Sequence, residues 1–178
     1  CQIASQIDFN QDISHWDTHT VKDMSGLFAG NQEFQQDVSN WDTSNVENMG
    51  GMFASSGFNS DISNWDTSSV TRMDAIFYNN NTFNGDISGW NTANVTRMDK
   101  AFIYSNISPN ISDWNTENVT RMDEMFRESA GYAGSNMDIS GWNTGNVTNM
   151  YFMFRNSGYT PDISNWDVGN VTNCTSFE

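Results

Sequence analysis

Aspartate recurs at one place in an imperfect repeat: Asp12, Asp37, Asp61, Asp86, Asp138 and Asp162, with Asn110 filling the gap. Carboxylate oxygens suit calcium, a hard cation, and like charges stacked closely repel unless something neutralises them. These residues are therefore the calcium candidates. Neither a D-x-D-x-D-G loop nor a G-G-x-G-x-D array accompanies them. A second row alternates Asp17, Asp42, Asp66 and Asp167 with Asn91, Asn115 and Asn143. Free exchange of Asp with Asn argues for hydrogen bonding over charge, as when these side chains cap turns. No other cofactor is indicated.

Threonine forms two further rows, Thr18, Thr43, Thr67, Thr92, Thr116 and Thr144, and Thr71, Thr96, Thr120, Thr148 and Thr172. Regular threonines could present an ice-binding face. The rows lie four residues apart and straddle a turn, which favours strand-end and capping roles. Arg72, Arg97 and Arg121 align, as do Asp74, Asp99 and Asp123, a solvated face of little energetic weight. His15 and His19 have no ligand-type partners at suitable spacing. No nucleophile–base pair, P-loop or H-E-x-x-H motif is present, so the chain reads as non-enzymatic. Sequons stand at Asn80, Asn94, Asn106, Asn110, Asn118, Asn146, Asn170 and Asn173. They are glycan acceptors only if the source has a eukaryotic secretory pathway.

The element that must position these rows is a repeat. Its markers are Trp16, Trp41, Trp65, Trp90, Trp114, Trp142 and Trp166, spaced 25, 24, 25, 24, 28 and 24 residues apart. Every unit reads approximately D-I-S-x-W-[DN]-T-x-x-V-x-x-M-x-x-[LMI]-F. Met24, Met49, Met73, Met98, Met122 and Met150 follow their tryptophans by eight residues, and Cys174 takes that place in the last unit. Length varies only after the Phe, most in 127–137, as loop insertions do.

A period in the twenties with a fixed apolar skeleton predicts a solenoid. Alternation around Ile and Trp predicts a short strand. Apolar steps of three and four in V-x-x-M-x-x-[LMI]-F predict a short helix or 3₁₀ segment. The expected fold is thus an α/β solenoid domain over 1–178 of about seven stacked turns. The tryptophans and methionines, with Ile13, Val21, Leu27, Phe28 and their equivalents, should form its core. Tryptophan as a sugar-stacking platform is the alternative, and core packing the better account in a chain so poor in leucine.

The string N-W-D-T-S-N-V followed by M-x-x-M-F, at 40–53, resembles the BspA-like, DUF285 surface-protein repeats, distant relatives of leucine-rich repeats. The resemblance covers essentially the whole chain. It implies an LRR-like fold, an extracellular or cell-surface location, a protein or host-surface partner in adhesion or display, and no catalytic residues. Asn110, Val168 and Cys174 depart from the pattern.

A net charge of -15, from 7 basic and 22 acidic residues, excludes nucleic acid as a partner. No apolar run is long enough for a transmembrane helix, and no secretory h-region is present. Cys1 and Cys174 lie roughly 29 Å apart at strand spacing, too far for an intrachain disulfide, which needs Cα atoms within about 7 Å. Cys1 could instead be lipidated. Neither end resembles a capping unit, so the array continues or is covered end to end. Adhesion or assembly through protein contacts is the leading expectation. A head-to-tail filament subunit is the second, and an ice- or carbohydrate-binding solenoid the third.

Overall fold

The computed structural model describes residues 9–177. Cys1, and with it the lipidation expectation, lies outside the described residues.

The chain builds its coils from one local device, the Asx turn. Asp12 accepts the backbone N–H of Ser14 through Oδ1 at 2.9 Å, and Trp16 N–H closes a turn on the Ile13 carbonyl at 3.1 Å. Asp17 does the same for His19, with Val21 closing on Thr18 at 2.9 Å. Asp23 repeats it for Ser25, with Leu27 closing on Met24 at 3.2 Å. Asn31 turns the last corner, accepting from Glu33 and Phe34. Asx side chains offer the backbone a partner that competes with helix and sheet ladders, and in this first coil they take it at every corner.

The expected α/β solenoid of strand-plus-helix units therefore does not form, and the LRR-like expectation falls with it. Among the described residues the only helical element is a 3₁₀ turn at Ala130–Tyr132, inside the insertion, and pairing reduces to isolated parallel bridges. The physical reason lies in the segment after the valine. Two positions there are left-handed in successive coils: Gly26, Gly51, Ala75, Lys100, Glu124 and Phe152, then Gly30, Ser55, Asn79, Tyr104, Glu128 and Asn156. Left-handed residues interrupt any helix, leaving a string of turns whose i, i+3 closures still send Met, Leu and Phe inward.

Those turns free their alternate N–H groups to reach the next coil. Met24, Gly26, Phe28 and Gly30 donate to the carbonyls of Asn48, Gly50, Met52 and Ala54 at 2.8–2.9 Å. Met98, Lys100, Phe102 and Tyr104 donate to Arg121, Asp123, Met125 and Arg127 in the same way. Backbone bonds also run backward, as from Thr96 N–H to the Thr71 carbonyl. A line of parallel bridges, Asp23–Asn48–Arg72–Arg97–Arg121–Asn149–Asn173, keeps seven coils in register.

The core fills the space inside. Trp41, Trp65, Trp90, Trp114, Trp142 and Trp166 are buried, as are all six repeat methionines and Phe28, Phe53, Phe77, Phe102, Phe126 and Phe154. Each buried indole finds a partner, as such groups must: Trp90 Nε1 donates to the Ile62 carbonyl at 3.2 Å. Trp16 departs from the core expectation. It lies in the first described coil, stacks on Trp41 at 6.2 Å, and is 40% exposed. Among the described residues no helix is long and apolar enough to cross a membrane.

Candidate functional site

The coil register turns each position of the repeat into a lateral row, and the rows differ in what they leave free. In the first acidic row every side chain caps the serine two residues on, from Asp12–Ser14 to Asp162–Ser164, with Asn110 doing so for Ser112. For Asp12 and Asp37 the serine hydroxyl, ahead of its N–H, holds the carboxyl below its usual range. For Asp61, Asp86, Asp138 and Asp162 the N–H leads. Neighbouring aspartates oppose the shift at Asp37 and Asp61. Each of these calcium candidates commits one oxygen to its own turn, and among the described residues no three acidic, His or Cys side chains converge as metal ligands would. The second acidic row caps in the same manner whether the residue is Asp or Asn, as at Asp66–Ser68 and Asn91–Ala93.

The two threonine rows do not share a face. Thr18, Thr43, Thr67, Thr92, Thr116 and Thr144 are buried, and each hydroxyl donates forward to a carbonyl of the next coil, as Thr92 does to Asn115 at 3.0 Å. Val168 takes that place in the seventh coil and is 58% exposed. Thr71, Thr96, Thr120, Thr148 and Thr172 are exposed. Their hydroxyls donate backward, each at 3.1 Å, to the carbonyl at the same place one coil earlier.

A further row lies beside the exposed threonines, on the other side of the inward valine. Asn94, Asn118, Asn146 and Asn170 each donate through Nδ2 to a carbonyl of the preceding coil at 2.7–2.8 Å. Asn45 and Ser69 occupy the same row. Across the last five coils the two rows form a strip without charged side chains, every outward side chain held by one hydrogen bond. Sequence reasoning missed this face, because it read the Asn as part of a sequon and paired the threonines with the buried row. The available signal was the valine itself, an inward residue flanked by two polar ones.

The sequons divide by environment. Asn80 is fully buried, donating to the Phe53 carbonyl and accepting from Thr82 and Phe83, so it cannot carry a glycan in this fold. In the four N-V-T sequons the nitrogen a glycan would occupy is the one that ties the coils. Asn106, Asn110 and Asn173 are exposed.

The arginine row is more than a solvated face. Arg72, Arg97 and Arg121 replace the third Asx residue of their coils and donate through Nε and Nη2 to the two carboxylate oxygens of Asp74, Asp99 and Asp123 at 2.9–3.0 Å. Burial pushes the Asp74 carboxyl up, but the Arg72 hydrogen bonds and charge outweigh it and leave the group lowered. Farther round the coil the Arg127 guanidinium stacks between the Tyr104 and Phe152 rings at 5.5 and 5.3 Å, and Arg155 caps Phe152 at 4.3 Å. Glu124 and Glu128 flank Arg127. Nothing in the repeat pattern announced this cluster, since it sits where the consensus is loose. His19 pairs with Asp17 at 2.5 Å on the open surface, and that hydrogen bond raises its pKa. His15 is exposed, and so is Cys174.

No curated protein and no solved structure matches the chain. A family model does, over residues 2–108 and 104–177, and on that match the chain belongs to the family described as Mycoplasma protein of unknown function, DUF285.

Proposed function

We propose that the protein is a non-enzymatic extracellular adhesion module that binds through the side of its coil stack. The observation carrying this reading is the uncharged Asn–Val–Thr strip, in which rows of polar side chains are fixed in one register over successive coils. A binding face repays such order, because side chains already immobilised lose little entropy when a partner arrives. The polar rows are engaged in structure: the aspartates cap turns, the buried threonines join coils, and Arg72, Arg97 and Arg121 fork onto their own aspartates. Repetition favours many weak contacts that add by multivalency, which is how an adhesive surface gains avidity.

The test is attachment. Beads coated with the purified chain should adhere to cell monolayers where beads coated with an inert acidic protein do not. A charged substitution in the middle of the strip should reduce attachment. Coated beads that attach no better than the control would remove the adhesive reading.

A further inference from the structure

We propose that the Asn–Val–Thr strip takes a neutral, extended polysaccharide, with about one sugar unit per coil. The proposal rests on the adhesive reading and names its partner.

The chemistry presented by the strip comes first. Thr120 spends its only hydroxyl hydrogen on the Thr96 carbonyl, so its oxygen faces outward as an acceptor, with its methyl alongside. Asn118 spends one Nδ2 hydrogen on the Ala93 carbonyl, leaving a second hydrogen and Oδ1 free. Each of the four coils with the Asn–Val–Thr triplet therefore offers a donor, acceptors and a small apolar contact in fixed positions. A sugar hydroxyl both donates and accepts, and the C–H groups of its ring suit the threonine methyl.

Charge selects among hydroxyl-bearing partners. The chain carries a net charge of -15, which opposes uronic or sulfated chains. The two rows themselves carry no charged side chain over the last five coils, so the strip makes its contacts through neutral groups, as a neutral polymer does.

Register supplies the rest. Successive coils are joined by an unbroken line of parallel bridges, so the rows advance about 4.8 Å per coil, the spacing of paired strands. An extended pyranose chain advances by a similar distance per sugar. Because a β-1,4-linked chain turns successive sugars over, a contact made at Asn118 and Thr120 recurs two coils on, at Asn170 and Thr172.

The experiment is a pull-down of the purified chain on microcrystalline cellulose and on chitin, with partition into growing ice as a third arm. The chain should leave the supernatant with at least one of the two polymers, with little dependence on salt. Thr120→Lys, mid-strip and exposed, should lower that partition tenfold or more with the melting temperature kept. Thr120→Ser, which keeps the anchored hydroxyl, should retain most of it, and Asn136→Lys in the insertion should change nothing. Wild-type protein that ignores both polymers, a Thr120→Lys variant that binds as well as wild type, or partition into ice instead would each overturn the sugar partner. Bead attachment to cells that survives glycosidase treatment would also overturn it, while leaving the adhesive reading standing.

Discussion

The early and later coils reach the same backbone with different residues. At the first left-handed position the first two coils use Gly26 and Gly51, whereas the next four use Ala75, Lys100, Glu124 and Phe152. At the second Asx position the first three coils use Asp17, Asp42 and Asp66, and the next three use Asn91, Asn115 and Asn143. Left-handed geometry disfavours residues with a Cβ by roughly 1–2 kcal/mol, yet φ is 62° at Gly51 and 63° at Lys100. Conformation in the later coils is thus imposed from outside the residue. The N–H of Lys100 and its fellows must point at the next coil, and the forward bonds, with the core beneath them, outweigh local preference. Repetition lets tertiary contact override propensity, since each coil is templated by its neighbours.

Removing a core rung should break this templating most severely. Trp90 is buried against Phe77 and Trp114, with ring centroids 6.5 Å away in each case. Trp90→Ala should cost about 3–5 kcal/mol, read as a fall in the denaturant midpoint. If contact rather than propensity holds the left-handed residues, hydrogen exchange should quicken at Ala75 and Lys100 before Gly26 and Gly51. Uniform loss across the stack would argue against the distinction.

The buried threonine row offers a finer cut. Thr92→Val keeps the shape but removes the hydroxyl that serves the Asn115 carbonyl, and should cost about 1–3 kcal/mol. Val168→Thr, at the same place in the seventh coil, adds a hydroxyl on the exposed surface and should change stability by less than about 0.5 kcal/mol. Equal effects at the two sites would mean that the inter-coil bond contributes nothing.

Backbone strain can be isolated by exchanging the two kinds of coil. A Cβ at Gly51 would meet nothing within 4 Å, so Gly51→Ala reports conformation alone and should destabilise by about 1 kcal/mol. Ala75→Gly, at φ 55°, should stabilise by a similar amount. Opposite shifts in the thermal midpoint support templating against preference, and shifts of one sign would refute it.

Much of this was legible in the residues. Trp and Met spacing gave the coils, and the interchange of Asp with Asn gave the capping role that Asp66 and Asn91 share. The helix was misread because turns closed at i, i+3 send Met24, Leu27 and Phe28 inward as a helical stripe would, and hydrophobic period cannot tell the two apart. Left-handed glycine was a usable hint at Gly26 and Gly51, but Lys100 and Phe152 concealed it. The strand was misread similarly: Ile87 and Trp90 point inward because a turn joins them, not because they alternate along an extended chain. The binding strip was hidden by a different ambiguity, since in N-V-T both a sequon and an outward pair leave the same letters.

The smallest expected effect concerns the acidic half of the comparison. The hydroxyl of Ser68, then its N–H, holds the Asp66 carboxyl below its usual value, with Asp42 pushing the other way. A group depressed in the folded state contributes stability above its unfolded pKa, about 3.9 for Asp, and loses that contribution as pH falls through the lower folded value. Asn91 makes the same turn without a titrating group. Asp66→Asn should therefore leave the thermal midpoint at pH 7 nearly unchanged, or slightly raised by relief of repulsion from Asp42, and should shrink the drop between pH 4 and pH 2. Asn91→Asp should enlarge that drop by adding a second titrating cap to a coil that already holds Asp86. General protonation reduces the net charge in every variant alike, so the difference between variants isolates the turn. Acid limbs that superimpose for wild type, Asp66→Asn and Asn91→Asp would show that the cap's charge is irrelevant, and that the two kinds of coil differ in sequence but not in physics.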